Sequence, residues 1–329
     1  MGKNNSFEKI NYSIRPAKII ERKMILQFCS RLFPFDFVEN YHYIGFGSIY
    51  YSDFTLFHKS LNIRKMSSIE FERNESRARF NLPFSCINLL AGHCNTELPK
   101  LINSTEKNIT WLDYDSPLSS NALDDIQTYA GATSSGSMLL VTFNTNSDDN
   151  PCFSGNMDAL FEYRKNKLKE RILEKKIPTI SKPIQLNKKN LHKLYREIII
   201  NEIEETLLKR NKKIIPNEEI LYKQIINFDY SDDAKMMTLG FVFYQQSETQ
   251  QFYQCKFEEL KQYRGDSNSY IIKAPKLTVE EIRALNKILP KKEGIEYGID
   301  EINNSAFDKA IEEYAEVYQY FPQFTEVLY

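Results

Sequence analysis

The stretch from Tyr41 to Glu70 places two glycines and one acid at a spacing that could hold an adenosine-containing ligand. Gly45 and Gly47 follow an apolar run. Glycine lets a ligand approach the main chain closely and accepts backbone angles that other residues avoid. The helix predicted next offers unpaired N–H groups at its start. Glu70 follows about twenty residues later, where a carboxylate can accept protons from both ribose hydroxyls. The stretch therefore predicts an adenosine-cofactor site.

Two further carboxylates, Asp113 and Asp115, lie where another predicted strand ends, on either side of Tyr114. Alternation along a strand puts both carboxylates on one side, at the edge where open α/β sheets bind ligands. One of them could orient a substrate hydroxyl or act as a general base if burial raises its pKa. Alternatively, both cap the next helix. The two interpretations are balanced for Asp113, and capping is favoured for Asp115.

A basic group precedes the first strand. Arg15, Lys18 and Arg22 recur at helical spacing and share one face of a predicted helix. They could receive an anionic substrate or the carboxylate of a cofactor. The alternative is a solvated face whose charge is balanced by Glu21.

Histidines and cysteines show no metal-site pattern in this sequence. The 4 histidines and 5 cysteines lack paired spacings, and the neighbours His93 and Cys94 are too few for a site. We therefore predict no bound metal. The scattered, odd-numbered cysteines favour reduced thiols in a cytoplasmic protein.

Predicted strands alternate with helices over the first half of the chain, which indicates a parallel, doubly wound α/β sheet. Further along, two β-rich runs separated by a polar turn predict an antiparallel hairpin that closes the sheet. Those runs are Lys235–Gln245 and Gln250–Phe257. The expected divisions are a cofactor-binding half with an N-terminal helix (1–157), a charged helical insertion (158–228), the closing hairpin (229–262) and a C-terminal helical extension (263–329).

The net charge of −1 predicts no overall attraction to nucleic acid or membrane. No apolar run approaches the roughly 18–20 residues that span a bilayer, so we expect a soluble, cytoplasmic protein. One local exception is the segment 164–193, with eleven Lys or Arg and two Glu. It could bind phosphates, although a solvated face that balances the acidic Glu197–Glu205 stretch is the favoured interpretation.

The glycine turn also separates two kinds of adenosine cofactor. A dinucleotide site normally reads G-x-G-x-x-G, and here Tyr50 occupies the third glycine position. This weakens the case for NAD or FAD. S-adenosylmethionine needs no pyrophosphate cradle, only a glycine turn, an acid for the ribose and a polar group near adenine.

On these residues the chain resembles the Rossmann-like (class I) S-adenosylmethionine-dependent methyltransferases, in particular a bacterial group described as putative O-methyltransferases. The resemblance covers roughly residues 15–262 and implies a mostly parallel seven-stranded sheet that ends in an antiparallel hairpin. The matching segments are Arg15–Lys18, Glu21–Lys23, Tyr43–Ser48, Asp53–Phe54, Leu56–Lys59, Met66–Glu70 and Trp111–Asp115.

The resemblance also implies roles for individual residues. Glu70 would hold the ribose, with Glu72 as a possible substitute, and Asp113 would lie near the methyl group as the catalytic base. Many such enzymes have an acid just ahead of the glycine turn, where this chain has His42 and Tyr43, so Asp53 or Asp113 would take its place. Gly45, Phe46, Gly47 and Ser48 would face the methionine portion, and Arg15, Lys18, Arg22 and Asp115 would contact the substrate.

The function expected from this sequence is methyl transfer from S-adenosylmethionine to an oxygen or nitrogen of an unidentified acceptor. One rival is a silent methyltransferase-like module in a bacterial antiviral-defence or toxin system, which would hold RNA or a protein through its basic helices. A weaker rival is an NAD-linked oxidoreductase, disfavoured by Tyr50. The sheet alone does not identify an acceptor.

Overall fold

A computed structural model describes residues 15–153, 155–212, 214–290 and 305–322 of the protein. Within these ranges the strands form one eight-stranded sheet. The strands are β1 His42–Gly45, β2 Lys65–Glu70, β3 Ile87–Ala91, β4 Asn108–Asp113, β5 Ser137–Asn144, β6 Ile220–Ser231, β7 Lys235–Gln245 and β8 Tyr270–Ile272.

The helices alternate with the first five strands and then form the insertion and the C-terminal extension. They are α1 Pro16–Ser30, α2 Ser52–Leu61, α3 Glu75–Phe80, α4 Cys94–Leu101, α5 Ser120–Ala132, α6 Met157–Arg171, α7 Leu191–Asn211, α8 Thr249–Gln254, α9 Val279–Ile288 and α10 Ser305–Val317. In the described residues, none of these helices is both long and apolar enough to cross a membrane.

The strand order is β3-β2-β1-β4-β5-β7-β6-β8. Strands β1 to β5 are parallel, whereas β7 runs antiparallel to both β5 and β6. This confirms the expected doubly wound, mostly parallel sheet with an antiparallel hairpin. The short strand β8, which pairs with β6, makes the sheet one strand wider than the resemblance implied.

The hairpin consists of β6 and β7, so the predicted pairing of Lys235–Gln245 with Gln250–Phe257 is wrong. Most of the second run instead forms helix α8, which buries Phe252, and Cys255, the residue that caps this helix at its C-terminal end, is buried as well. Strand β6 starts at Ile220, inside the segment expected to be a helical insertion.

Local sequence explains where several helices begin. Pro16 occupies the first turn of α1, where a missing N–H costs nothing. Ser119 caps α5 by accepting a hydrogen bond from the backbone N–H of Ala122. Thr278 and Glu281 form a reciprocal capping box at the start of α9.

Helices cover both faces of the sheet and bury two apolar clusters. One cluster joins α1 and α2 to the C-terminal helices, and its members include Phe28, Phe57 and Tyr314. The other joins α4, α5 and α7 to the opposite face through side chains such as Leu98 and Ile198. Between these layers, the carboxyl ends of β1, β2 and β4 lie together at the point where strand order reverses, which is where open α/β sheets bind ligands.

Candidate active site

A cavity of about 360 Å³ opens at the carboxyl ends of β1 to β4. Its volume lies within the range of roughly 300–1,000 Å³ typical of small-molecule sites. Polar groups converge on it from the glycine turn, the strand ends and the first turns of α4 and α5. The lining includes Arg22, Phe46, Gly47, Ser48, Asp53, Glu70, Phe71, His93, Cys94, Asn95, Asp113, Tyr114, Asp115, Asn121 and Asp125.

The turn after β1 requires glycine because of close packing. A Cβ built on Gly47 would lie 2.2 Å from a ring carbon of Tyr51 and 2.7 Å from the Ser68 hydroxyl oxygen. The positive backbone φ angles belong instead to Ser48 and Tyr51, at 50° and 45°. The expectation that the glycines supply unusual backbone angles is therefore wrong. Gly45 is the last residue of β1 and is not part of the cavity lining.

Glu70 ends β2 and is only 7% exposed, yet it faces the cavity. Its Oε1 accepts a 2.7 Å hydrogen bond from the backbone N–H of Ser48, which ties the acid to the glycine turn. Burial raises the pKa of Glu70 to about 7, although N–H donors from the turn oppose the rise. Glu72 lies in an exposed turn outside the cavity lining. Of the two acids considered for the ribose, only Glu70 faces the cavity.

Asp53 brings a second buried carboxylate to the cavity from the first turn of α2. The Tyr43 hydroxyl donates a hydrogen bond to its Oδ2. Burial raises the pKa of Asp53, and the nearby Arg22 guanidinium works in the opposite direction. The position ahead of the glycine turn is thus filled by a tyrosine that holds an acid from the next helix.

Lys18 lies in the interior and is only 1% exposed, so it is not part of a solvated face. Its Nζ is 2.7 Å from Glu21 Oε2 and 2.8 Å from Asp113 Oδ1. The ammonium also lies over the Trp111 ring, 4.7 Å from its centroid. A helix residue and a strand-end residue are therefore joined by one buried cation.

The network continues behind Lys18. Glu21 is fully buried, and burial raises its pKa against the opposing effect of the Lys18 ammonium. The Thr238 hydroxyl of β7 donates to Glu21 Oε1, and Lys18 donates to the Tyr230 hydroxyl of β6 at 3.1 Å. The hairpin thereby contacts the ion group that holds Asp113.

A smaller cavity of about 80 Å³ adjoins the main one and shares Asp113 and Asp115 with it. Arg15 and Lys18 also line this space. Arg15 is held by Asp232, with Nε 3.5 Å from Oδ2. The residues predicted to contact substrate are therefore divided: Arg22 lines the main cavity, Arg15 and Lys18 line the small one, and Asp115 lines both.

Comparison with known proteins identifies the family of this chain. A sequence model of the family described as "Putative O-methyltransferase" matches residues 10–329, which is nearly the whole chain. The chain belongs to this O-methyltransferase family. A search of curated protein sequences finds no match.

Solved structures offer more distant likenesses. Mitomycin 7-O-methyltransferase MmcR is 12% identical at a TM-score of 0.34, with 68% of this chain and 54% of that chain covered. LepI in complex with SAM is 9% identical at a TM-score of 0.34, with 62% and 43% covered. An O-methyltransferase family protein from Burkholderia thailandensis is 9% identical at 0.31, with 68% and 56% covered. This chain thus spans about half the length of these proteins, and scores this low carry no argument about cofactor or acceptor.

Asp125 lines the cavity of this O-methyltransferase family member but was not predicted as a site residue from the sequence. It lies on α5, is 2% exposed and accepts a 2.7 Å hydrogen bond from the Tyr114 hydroxyl at Oδ2. A signal for it exists in the sequence, because Asp125 is three residues after Ala122 and four before Tyr129, both buried. An acid on the apolar stripe of a helix is unusual unless it has a partner or a role.

The far end of the cavity, beyond Glu70, is bordered by aromatic and thiol side chains. The Phe71 and His93 rings meet edge to face with centroids 5.3 Å apart. Cys94, the next residue, starts α4, and burial raises the pKa of its thiol. Among the described residues, no group of three or more His, Cys, Asp or Glu side chains is arranged to hold a metal ion.

The basic run between 164 and 193 is largely engaged in ion pairs. Arg171 bonds Asp148 through both terminal nitrogens, at 2.8 and 2.7 Å. Lys176 contacts Glu202 and Glu205 at 2.8 and 2.7 Å. Other pairs are Arg164 with Asp149, Lys167 with Glu170 and Lys169 with Glu174. These ion pairs favour the interpretation in which the run is a solvated surface whose positive charge is balanced by nearby acidic residues.

Proposed function

We propose that this protein transfers a methyl group from S-adenosylmethionine to an oxygen atom of a small acceptor. The observation that carries the proposal is Glu70: a buried carboxylate at the end of β2, tied to the glycine turn and facing a ligand-sized cavity. No cation among the described residues contacts it, so its remaining acceptor capacity suits neutral hydroxyl donors such as those of a ribose.

The other cavity residues fit the rest of that molecule. Asp53 and Arg22 carry opposite charges on the side of the turn nearest Asp113. An amino acid has an ammonium and a carboxylate, so this pair suits the methionine portion. Gly45, Phe46, Gly47 and Ser48 form the strand end and turn beneath it, of which all but Gly45 line the cavity.

Asp113 is our candidate for the catalytic base. When bound, S-adenosylmethionine supplies an electrophilic methyl group on a sulfonium centre. As the acceptor oxygen took that methyl group and the thioether left with the electron pair of the carbon–sulfur bond, Asp113 would accept the hydroxyl proton. Lys18 holds Asp113 Oδ1 at 2.8 Å, and Oδ2 is not part of that contact. The carboxylate is thus fixed in orientation with one oxygen left for the acceptor.

The acceptor would enter from the small cavity beside Asp113 and Asp115. A larger groove of about 1,360 Å³ shares Arg15 and Asp233 with that cavity. Side chains from the C-terminal extension, including Ile282 and Tyr314, line the groove. We therefore propose that the extension, 263–329, forms the acceptor side of the enzyme and that 1–157 forms the methyl-donor side.

Calorimetric titration with S-adenosylmethionine and S-adenosylhomocysteine tests the proposal. The intact protein should bind both, and Glu70→Ala should weaken binding by about 100-fold, because the buried ribose hydroxyls lose a charged acceptor. Glu72→Ala is the matched control and should bind like the intact protein, since Glu72 is exposed. Absence of binding by the intact protein, or equal loss in both variants, would refute the proposal.

A role in RNA or protein binding through the basic helices, or in antiviral defence, gains no support from the ion-paired run described above. Copurified nucleic acid, measured by the ratio of absorbance at 260 and 280 nm, would revive it. Nicotinamide cofactors are likewise disfavoured, because the third glycine position holds Tyr50, whose side chain is 39% exposed and outside the cavity lining.

A further inference from the structure

One oxygen of a residue that lines the main cavity has no hydrogen-bond partner in the part of the chain that the structure describes. Asp125 uses Oδ2 to accept from Tyr114, but its Oδ1 is buried and has no hydrogen-bond partner among the described residues. The Cys94 thiol lies beside the carboxyl and favours its ionised form, yet a thiol is only a weak donor. A buried acceptor left unpaired is costly, so this oxygen is suited to a donor that the ligand brings.

The position of Asp125 indicates which part of the ligand would supply that donor. From Glu70, the lining continues through Phe71 to His93, whose rings are in contact, and then to Cys94 beside Asp125. The methionine groups are assigned to the other side of Glu70, near Asp53. A base attached to the ribose at Glu70 would therefore extend toward Asp125.

The chemistry at this end of the cavity matches adenine. Adenine carries an exocyclic amine that donates hydrogen bonds, and a carboxylate oxygen only accepts them. The β3–α4 connection contributes Gly92, His93, Cys94 and Asn95 to the lining, none of them acidic. Asp125 is thus the carboxylate available to the base, and it comes from α5.

We propose that Asp125 is the residue that selects adenine, by accepting a hydrogen bond from the exocyclic amine at Oδ1. This inference rests on the proposed function. Tyr114 is a positioning residue in the same arrangement, because its hydroxyl fixes Oδ2 and leaves Oδ1 as the unpaired oxygen. The Tyr114 ring is itself held between Phe143, stacked at 5.1 Å, and Phe46, edge-on at 5.3 Å.

A base analogue gives a direct test. S-inosylhomocysteine is S-adenosylhomocysteine with the exocyclic amine replaced by a carbonyl oxygen, which would put one acceptor against another. The intact protein should bind S-adenosylhomocysteine at least about 30-fold more tightly, since a buried site built for an N–H donor rejects an analogue that lacks it. Both affinities are measured by calorimetry.

Asp125→Asn should remove most of that preference. If the asparagine oxygen keeps the Tyr114 bond, its amide nitrogen faces the base and donates to the inosine carbonyl instead. The adjacent Asp124 is exposed on the same helix, so Asp124→Asn is the matched control and should keep the full preference. Because the readout is a ratio of two affinities, a general loss of stability in the variant does not imitate it.

The possible outcomes distinguish the proposed role of Asp125 from the proposed function on which it rests. Failure of the intact protein to bind S-adenosylhomocysteine overturns the proposed function. Tight S-adenosylhomocysteine binding with an equal affinity for S-inosylhomocysteine overturns only the role of Asp125, as does a preference that survives in Asp125→Asn. The affinities of the intact protein for S-adenosylhomocysteine and S-inosylhomocysteine are measured without any variant, so these two outcomes do not depend on whether Asp125→Asn folds.

Discussion

Glu70 and Asp113 line the same cavity, at the ends of β2 and β4 on either side of β1, but their electrostatic surroundings are opposite. Glu70 accepts from backbone N–H groups, no ion pair joins it to a cation of the described residues, and burial raises its pKa to about 7. Asp113 is bonded to the buried ammonium of Lys18, which Glu21 shares. Glu70 therefore has hydrogen-bond acceptor capacity left for a ligand, whereas Asp113 is already bonded to a protein side chain.

This difference separates binding from chemistry within one site. A carboxylate that is to accept ribose hydroxyls needs free lone pairs, so a neighbouring cation would compete with the ligand. A carboxylate that is to meet an acceptor in line with the methyl group needs a fixed orientation more than free lone pairs. Leaving Glu70 without a cation should destabilise the folded protein, and pairing Asp113 with Lys18 should stabilise it, so both effects can be measured.

The largest effect should come from removing the cation. Lys18→Met leaves the buried Glu21 and the half-buried Asp113 without their counter-ion, and breaking a buried pair in this way costs about 3–5 kcal/mol of unfolding free energy. Urea denaturation measures the loss. Lys59→Met, on the exposed surface of α2, should change stability by less than about 0.5 kcal/mol. A surface ion pair contributes at most about 1 kcal/mol. If the unfolding free energy of Lys18→Met lies within about 1 kcal/mol of the parent value, Lys18 does not hold Asp113 through a buried ion pair.

Gly47→Ala sharpens the Glu70 side of the comparison. The added methyl would overlap the Tyr51 ring and the Ser68 hydroxyl and displace the turn that presents the Ser48 N–H to Glu70. We expect a loss of about 2–3 kcal/mol, as for overpacking elsewhere. The control is Gly131→Ala in α5, whose added Cβ would meet its nearest neighbour at an ordinary 3.8 Å. If both substitutions are equally mild, the packing argument for Gly47 fails.

Glu70→Gln should stabilise the ligand-free protein at high pH by about 3 kcal/mol. The folded-state pKa of Glu70, about 7, lies above its ordinary value of 4.5, so the folded protein binds more protons between those values and loses stability as pH rises through them. Glutamine cannot ionise and avoids that loss. Urea denaturation at pH 8 should show the gain and at pH 5 should not. Glu72→Gln, being exposed, should show no such pH dependence.

The smallest predicted effect is on affinity. Hydroxyl donors bind the ionised form of Glu70, so the affinity for S-adenosylhomocysteine should rise about tenfold between pH 6 and pH 8, or about 1.4 kcal/mol, and then level off. Calorimetric titration across this range measures it. The rise should be absent in Glu70→Gln. A rise of equal size in that variant would assign the titration to another group.

Local sequence patterns were sufficient to predict structure where residues that are close in the sequence are also close in space. Strand β2, Lys65–Glu70, ends at the acid that follows the glycine turn by about twenty residues, and Glu70 lines the cavity. The spacing from the glycine turn to the end of β2 is determined by the lengths of one helix and one strand, which hydrophobic periodicity reports. The closing hairpin shows the limit: Gln250–Phe257 has strand-like composition, but burial of Phe252 and Cys255 on one side makes it helical.

The sequence by itself therefore determined the type of sheet, the glycine turn and the acid at the end of β2. Tertiary structure decided the rest of the site. Lys18 and Asp113 are 95 residues apart, and only the docking of α1 on the sheet turns a basic helix face into a buried ion group. Asp125 likewise joins the cavity only once α5 packs beside β4. The charge and hydrogen-bonding state of each acid depends on burial and on neighbours brought from distant segments, and no local pattern encodes those.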